Sequence, residues 1–259
     1  SGLAVSSTLT FSKNINEIKE MVENYQTDLL SEPLNISEVM KDKGRTILKV
    51  GGSIHDIYAT RFLKKDSQGF VNVSSDGKFE MEDGEPVFLG SVAPKFNMGW
   101  NNSLSYKGFG LSFLINGRFG GVVTSSTEAL LDRFGVSKRS ADARLNGGFT
   151  IPNQGKVDAQ RYFQMIGTGD YQTSAYYLYS ATNVRLQELT FSYTFPNKWF
   201  KNILKDVTLS FTANNPWVIY CEAPFDPELT PSTATYGQGN DYFMQPSVRS
   251  FGFGVKFKL

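Results

Sequence analysis

The chain has 259 residues, of which 26 are Lys or Arg and 25 are Asp or Glu, so its net charge is only +1. This balance excludes the broad basic surface that a nucleic-acid-binding protein needs. Aromatic residues make up 14% of the chain, which is too many for a disordered tail. The single cysteine excludes an internal disulfide framework, and the single histidine leaves at most one imidazole base for catalysis.

The chain contains no run that approaches the ~18 consecutive apolar residues of a transmembrane helix. Its start, residues 1–5, lacks the charged region and the long apolar run of a signal peptide. We expect that a signal has been removed or that the chain begins partway through a longer protein.

The clearest signal along the chain is a two-residue alternation of apolar and polar side chains, which predicts strands with two different faces. The apolar positions carry mainly Leu, Val and aromatic residues, whereas the positions between them carry Ser, Thr, Asn, Gly and Lys. The lengths suit membrane strands of about 9–11 residues, and the polar face suits water or a polar lumen. The segments are 3–11, 96–106, 109–119, 189–195, 207–213 and 251–259.

The second and third segments are separated only by Lys107-Gly108, where the phase of the alternation switches. A two-residue hairpin turn requires this switch, because the flanking residues pair directly and point to the same side. We therefore expect Tyr106 and Phe109 to pair. A one-residue slip of the phase further along the chain predicts a bulge near Gln187.

The connections between the predicted strands are unequal. Residues 107–108 and 196–205 form short links, whereas residues 15–93, 122–179 and 221–246 form long ones. Short turns at one end and long loops at the other are typical of outer-membrane barrels. A soluble β-sandwich shows the same alternation with shorter and more even connections, so the pattern favours the barrel.

The long connections contain helix signals. Ser125 and Glu128 form a capping box, and further helices are predicted after Ser137 and from Asp158. Another helix, which Asn14 or Asn16 would cap, is predicted to carry Ile18, Met21 and Val22.

No catalytic, cofactor-binding or metal-binding constellation is apparent, and we expect the protein not to be an enzyme. His55 has no nucleophile motif beside it. The carboxylates of Asp226 and Glu228 lie in a proline-rich stretch that we interpret as a rigid loop rather than as an acid pair. Gly-rich residues 117–121 lack the spacing of a phosphate-binding loop, and we expect them to end a strand at a membrane rim.

Aromatic side chains near the strand ends, such as Trp199 and Trp217, fit the two interfacial bands of a membrane barrel. Exposed aromatic residues in the long connections would suit stacking on sugars or contact with a partner. The candidate substrate or partner contacts are Tyr176, Tyr177, Tyr179, Trp217, Tyr236, Tyr242 and Phe243.

Several motifs carry a family resemblance. They are Trp100-Asn101-Asn102 and Tyr106-Lys107-Gly108-Phe109 within 94–121, Gly135-Val136-Ser137-Lys138, residues 181–186, Tyr193-Thr194-Phe195-Pro196, residues 223–228 and residues 246–252. In order and spacing they resemble the SusC/RagA-type TonB-linked outer-membrane transporters. The resemblance covers most of residues 94–259 and is weaker over residues 1–93.

The resemblance implies a transmembrane antiparallel β-barrel of about 22 strands, closed by a plug domain. The whole chain, 1–259, would be the C-terminal part of this barrel and would contribute about its last six strands. Residues 1–93 would supply the first strand and a long extracellular excursion, and residues 94–259 would supply the last five strands and their loops. The plug domain is expected to lie outside the chain.

The implied function is the import of large nutrients, glycans or oligopeptides, across the outer membrane of a Gram-negative bacterium. The expected partners are the remainder of the barrel and its plug, a SusD-like surface lipoprotein that forms a lid, the TonB complex and outer-membrane lipid. No nucleic acid or cofactor is expected. The alternative that the sequence leaves open is a soluble β-sandwich module that binds carbohydrate.

Overall fold

A computed structural model describes residues 2–22, 38–41, 46–75, 78–152, 154–167, 175–200, 203–229, 231 and 238–258. Its strands are β1 (Ala4–Ser12), β2 (Glu38–Lys41), β3 (Thr46–Lys49), β4 (Asp56–Leu63), β5 (Met81–Ser91), β6 (Phe96–Tyr106), β7 (Phe109–Phe119), β8 (Val122–Ser125), β9 (Phe149–Ile151), β10 (Gly155–Val157), β11 (Leu178–Ser180), β12 (Asn183–Thr194), β13 (Lys205–Cys221), β14 (Asn240–Asp241) and β15 (Ser250–Lys258). Its helices are α1 (Ser126–Arg133), α2 (Lys138–Leu145), α3 (Ala159–Ile166) and a 3₁₀ turn, Asn197–Phe200.

The largest sheet, which we call the wall sheet, contains six antiparallel strands in the order β1-β6-β7-β12-β13-β15. Each of the six alternating segments forms one of these strands. Tyr106 pairs with Phe109 across the turn, as predicted. The register shifts between Leu186 and Glu188 on both sides of β12, which confirms the bulge predicted near Gln187.

The strand register places all the alternating apolar side chains on one face, the apolar face, and the small polar side chains on the other, the polar face. A single apolar row crosses the whole sheet through Val5, Leu104, Leu111, Phe191, Phe211 and Phe253. The neighbouring polar row runs through Ser6, Ser103, Ser112, Thr190, Thr212 and Gly252.

No second protein layer covers the apolar face within the described residues. Phe253 is 86% exposed, and Leu9 and Phe109 are exposed as well. A soluble β-sandwich would bury these side chains between two sheets. No helix among the described residues has the length and apolarity that crossing a membrane requires.

The long connections all leave one end of the wall sheet, which we call the loop end, and carry the remaining elements. The first contains a four-stranded sheet in the order β2-β3-β4-β5. The second contains α1, α2, α3 and the small hairpin of β9 and β10. A three-stranded sheet in the order β11-β8-β14 joins the second connection to the third. We call these elements together the crown.

The main hydrophobic core lies in the crown rather than under the wall sheet. Leu63 and Phe79, from the first connection, pack with Tyr162, Phe163 and other buried residues of the second connection. Folding of the crown therefore depends on contacts between connections that are far apart in sequence.

One predicted element is wrong. Residues 13–22 are not helical, although the spacing of Ile18, Met21 and Val22 suggested a helix. The backbone N–H of Ile18 donates to the carbonyl of Gly52 at 2.8 Å, and the Ile18 carbonyl accepts from Gly51 at 2.8 Å. These bonds hold the segment extended against a distant turn.

Candidate functional site

The predicted caps position the three crown helices. The Ser125 hydroxyl accepts a hydrogen bond from the Glu128 N–H at 3.1 Å, which confirms Ser125 as the N-cap of α1. Ser137 caps α2 through the Ser140 N–H at 3.0 Å, and Asp158 caps α3.

Asp132 on α1 is the main polar anchor of the crown. Its carboxylate is fully buried and accepts hydrogen bonds from the Ser137 hydroxyl at 2.5 Å, from the Arg139 guanidinium and from the Tyr177 hydroxyl at 3.0 Å. The Arg139 guanidinium also lies 4.9 Å from the centre of the Tyr177 ring. Because removing one partner leaves a buried charge unpaired, this cluster fixes α1 and α2 against the strand that follows Tyr177.

Tyr177 therefore does not have the exposed position that the sequence suggested. It is 2% exposed, and its hydroxyl is bound to Asp132. Burial, and next the negative charge of Asp132, raise the pKa of Tyr177 well above its usual range. Its role in the structure is to support the crown, because a ring buried in the main core has no surface to offer to cargo.

Tyr176 and Tyr179 are half-buried. Tyr176 joins the second connection to the first, whereas Tyr179 joins two parts of the second connection. The Tyr176 hydroxyl accepts from the backbone N–H of Leu63 at 2.9 Å, and the Tyr179 hydroxyl donates to Glu128. Burial and the Glu128 carboxylate raise the pKa of Tyr179. Parts of both rings remain accessible, so a contact with cargo stays a prediction for these two residues.

Three other predicted contacts are exposed. Trp217 is 63% exposed and pairs with Leu186 near the loop end of the apolar face. The rings of Tyr242 and Phe243 lie 5.4 Å apart in the third connection and are both exposed. Tyr236 lies outside the described residues. Tyr242 and Phe243 thus lie in a different connection from the three tyrosines at 176–179, and a contact with cargo stays a prediction for them. The exposed ring of Trp217 suits an interface with lipid or a partner.

An ion pair that the sequence did not indicate fixes the loop 222–229. Arg185 and Asp226 have side chains that are 8% and 10% exposed, and their closest atoms are 2.9 Å apart. The Ser247 hydroxyl donates to the same carboxylate at 2.5 Å, and Glu228 lies 3.6 Å from Arg185. These contacts agree with the interpretation of Asp226-Pro227-Glu228 as a rigid loop rather than as an acid pair.

The environment of Asp226 keeps it charged. Burial alone would raise its pKa, but hydrogen bonds from Arg185 and Ser247 outweigh that effect and hold the pKa of Asp226 below its ordinary value. The loop is therefore held by a full ion pair at neutral pH.

The loop 222–229 separates two cavities at the loop end. The first, the polar-face cavity, has a volume of about 360 Å³ and is lined by Ser12, His55, Asn97, Arg118 and Glu228 among others. The second, of about 320 Å³, is lined by Arg185, Trp217, Phe225, Pro246 and Arg249 among others. Both volumes are in the range of small-ligand sites. Within the described residues no group of three or more His, Cys, Asp or Glu side chains could hold a metal ion.

Comparison with known proteins shows which sequences and folds the chain is similar to. No protein-family model matches the chain. The TonB-dependent receptor P3 of Formosa agariphila is 26% identical over 215 residues, which is 81% of this chain and 21% of the relative. The TonB-dependent receptor SusC of Bacteroides thetaiotaomicron is 25% identical over 198 residues, which is 72% of this chain and 17% of that protein. The chain thus spans about a fifth of the length of the curated relatives that it matches.

Two solved structures show the same fold. The RagAB peptide transporter matches 99% of this chain with a TM-score of 0.68, at 16% identity, and 27% of the matched transporter chain is covered. The RagAB peptide importer in its closed-closed state matches the same share of both chains with a TM-score of 0.67, also at 16% identity. The chain is therefore similar in sequence to TonB-dependent receptors, and its fold is that of part of the RagAB transporter structures. Sequence and fold together support the resemblance to SusC/RagA-type transporters.

Proposed function

We propose that the chain forms part of the barrel wall and of the extracellular vestibule of an outer-membrane importer of large nutrients, energised through TonB. One observation carries the proposal. Within the part of the chain that the structure describes, the apolar face of the wall sheet is continuous and uncovered, and the structured long connections leave one end of the sheet.

The two faces of the wall sheet suit different solvents. Lipid would cover the apolar face, where the described residues leave side chains such as Phe253 largely exposed. The polar face, with its rows of Ser, Thr and Gly, suits a water-filled or plugged lumen. Trp217 lies at the loop end of the wall sheet, and Trp199 lies at the opposite end, where the short turns are. Both are exposed and fit the two interfaces of a bilayer.

The two edge strands of the wall sheet imply that further strands pair with them, either from the same polypeptide or from another one. Strands β1 and β15 each pair on one side only within the described residues. An open strand edge is not tolerated in lipid, because its backbone groups would lose their hydrogen bonds. We expect the remainder of a barrel of about 22 strands, with its plug, to pair with both edges. A SusD-like lipoprotein would then meet the crown from outside.

The proposed cargo is a glycan or an oligopeptide, and the exposed aromatic residues of the crown suit either. The alternative, a soluble carbohydrate-binding sandwich, is disfavoured by the uncovered apolar face.

Deletion of residues 126–167 from the complete transporter, joined by a short Gly-Ser linker, tests the proposal in cells. The protein should still fractionate with the outer membrane, whereas growth on a polymeric glycan or on oligopeptides should fail. Growth on the corresponding monosaccharide or on free amino acids serves as the control. Unchanged growth on both polymers, or fractionation of the intact protein without detergent, would contradict the proposal.

A further inference from the structure

The polar-face cavity has a floor made from a single row of the wall sheet. Ser12, Asn97 and Arg118 pair across β1, β6 and β7, and all three line the cavity. Its other walls come from the connections, with His55 from the first and Glu228 from the third. The cavity thus lies at the loop end of the polar face, where material that enters from the loop side would first meet the sheet.

Two buried nitrogen atoms beside this cavity have no hydrogen-bonding partner among the described residues. One terminal nitrogen of Arg118, Nη2, donates to the Val92 carbonyl at 2.5 Å, but its Nε is shielded from solvent and has no hydrogen-bonding partner in the described part of the chain. His55 Nδ1 is in the same condition. Buried polar groups in folded proteins are almost always hydrogen-bonded, so two such atoms beside one cavity are an unusual arrangement.

The charge of the lining favours an anion. Among the described residues, the cavity is lined by the cations Lys13 and Arg118 and by a single acid, Glu228. The Glu228 carboxylate already lies 3.6 Å from Arg185, which compensates part of its charge. A ligand that enters therefore meets an excess of positive charge, beside two side chains, Arg118 and His55, that each have a nitrogen without a hydrogen-bonding partner in the part of the chain that the structure describes.

We infer that the polar-face cavity binds a carboxylate group of the imported nutrient. A carboxylate has two oxygens that accept several hydrogen bonds, and arginine binds it with charge-assisted geometry. We expect the Arg118 and His55 side chains to turn toward the bound oxygens. The inference rests on the proposed function only in taking the ligand to be part of an imported nutrient. Acidic nutrients would then be preferred to neutral ones as cargo.

The site is tested by the binding of glutarate, a dicarboxylic acid, and of glutaramide, its neutral amide, to the complete transporter purified in detergent. His55 is the only histidine of the chain, so a ¹⁵N-histidine spectrum reports on it once its signal has been assigned with H55Q. Glutarate should shift the His55 signal in a saturable way, and glutaramide should not. R118Q should weaken glutarate binding at least about tenfold, which corresponds to about 1.4 kcal/mol.

Two further variants separate binding from folding. N97D adds a negative charge to the floor at an exposed residue, keeps Arg118, and should also weaken glutarate binding about tenfold or more. R144Q removes an exposed arginine of α2 that does not line this cavity, and it should bind glutarate as the wild type does. An acidic oligouronide and an acidic oligopeptide, compared as competitors, then show which source of carboxylate is preferred.

The outcomes distinguish this inference from the proposed function. Equal binding of acid and amide, absence of binding, or full binding by both R118Q and N97D would overturn the inference even if nutrient uptake is normal. Specific glutarate binding in a protein that imports neither polymer would leave the carboxylate site standing and would refute the proposed function instead.

Discussion

Phe113 and Ser112 are neighbours in β7 with opposite environments. Phe113 pairs with Leu189 on the apolar face, and Ser112 pairs with Thr190 on the polar face. Their contrast allows the proposed lipid contact to be tested one residue at a time, because a one-residue step along a strand exchanges the two faces.

Replacing Phe113 by Arg should cost about 2–4 kcal/mol of folding stability in a lipid bilayer if the site lies near its middle, since a charge is then moved into hydrocarbon. Leu209→Arg should cost less, because Leu209 pairs with Tyr193 in the row of Phe109 beside the turn, and the cost of a charge falls toward the membrane interface. Ser112→Lys serves as the control and should be tolerated. The measurement is urea-induced unfolding of the complete transporter in liposomes. Similar stabilities for all three variants would argue against a lipid-facing surface.

The ion pair of Asp226 and Arg185 gives the loop 222–229 a defined pH dependence. The pKa of Asp226 in the fold lies below its ordinary value of 3.8, so the pair stabilises the folded loop above that pH. The stabilisation should be lost as the pH falls through the lowered pKa, below 3.8.

Hydrogen exchange at the backbone amides of residues 222–229 measures this effect. At pH 5 the wild-type loop should exchange about tenfold or more slowly than that of Asp226→Asn, a difference of about 1.4 kcal/mol. The two proteins should converge below pH 3.8. Glu222→Asn, at an exposed acid at the start of the same loop, is the control. A wild-type loop that opens already at pH 5 would show that the pair does not hold it.

At the scale of elements, the sequence predicts what local chemistry determines. The strands of the wall sheet follow from side-chain alternation, and the helices α1, α2 and α3 follow from the caps Ser125, Ser137 and Asp158. The four-stranded sheet of the first connection was not predicted. In β4, Ile57, Tyr58 and Ala59 are buried consecutively, so the strand shows no alternation that would reveal it.

Long-range contacts explain the other differences between sequence and structure. The hydroxyl of the buried Tyr177 binds Asp132, which is 45 residues away in the sequence. The ion pair that fixes the loop 222–229 joins Arg185 to Asp226, which are 41 residues apart. Neither pairing has a local signature. The polar-face cavity likewise assembles Ser12, His55, Arg118 and Glu228 from four distant segments.

The hairpin between β6 and β7 depends on Gly108. Lys107 and Gly108 have φ angles of 47° and 89°, which is the conformation of a type I′ turn. A Cβ at Gly108 would lie 2.6 Å from the Thr194 carbonyl oxygen, so alanine there adds a steric clash to an unfavourable backbone conformation.

Gly108→Ala should therefore lower the stability of the barrel by about 1–3 kcal/mol. Gly252→Ala is the matched control, because it lies in β15 of the same sheet, has no positive φ, and has no heavy atom within 4 Å of the added Cβ. Urea midpoints in detergent micelles compare the two variants. An equal loss for both would mean that the turn geometry does not limit stability.

For the whole molecule, the described residues leave the wall sheet open: they do not cover its apolar face, and β1 and β15 are its edges. The crown contains the main core of this described part of the chain, and the two core clusters found there lie outside the wall sheet apart from a contact with Cys221. The stability of the wall sheet should therefore depend on lipid and on neighbouring strands.

Hydrogen exchange on β15 tests this dependence directly. Some backbone amides of β15 point away from β13. In the complete transporter in lipid they should be as protected from exchange as the amides that bond β13, because a strand on the other side of β15 would accept their hydrogen bonds. In the chain of residues 1–259 alone, refolded in detergent, only the amides paired with β13 should be protected. Strand β7, paired on both sides by β6 and β12, is the internal control. A folded monomer of residues 1–259 in water without detergent would contradict the dependence, since Phe253 and its neighbours would then face water as a large apolar surface.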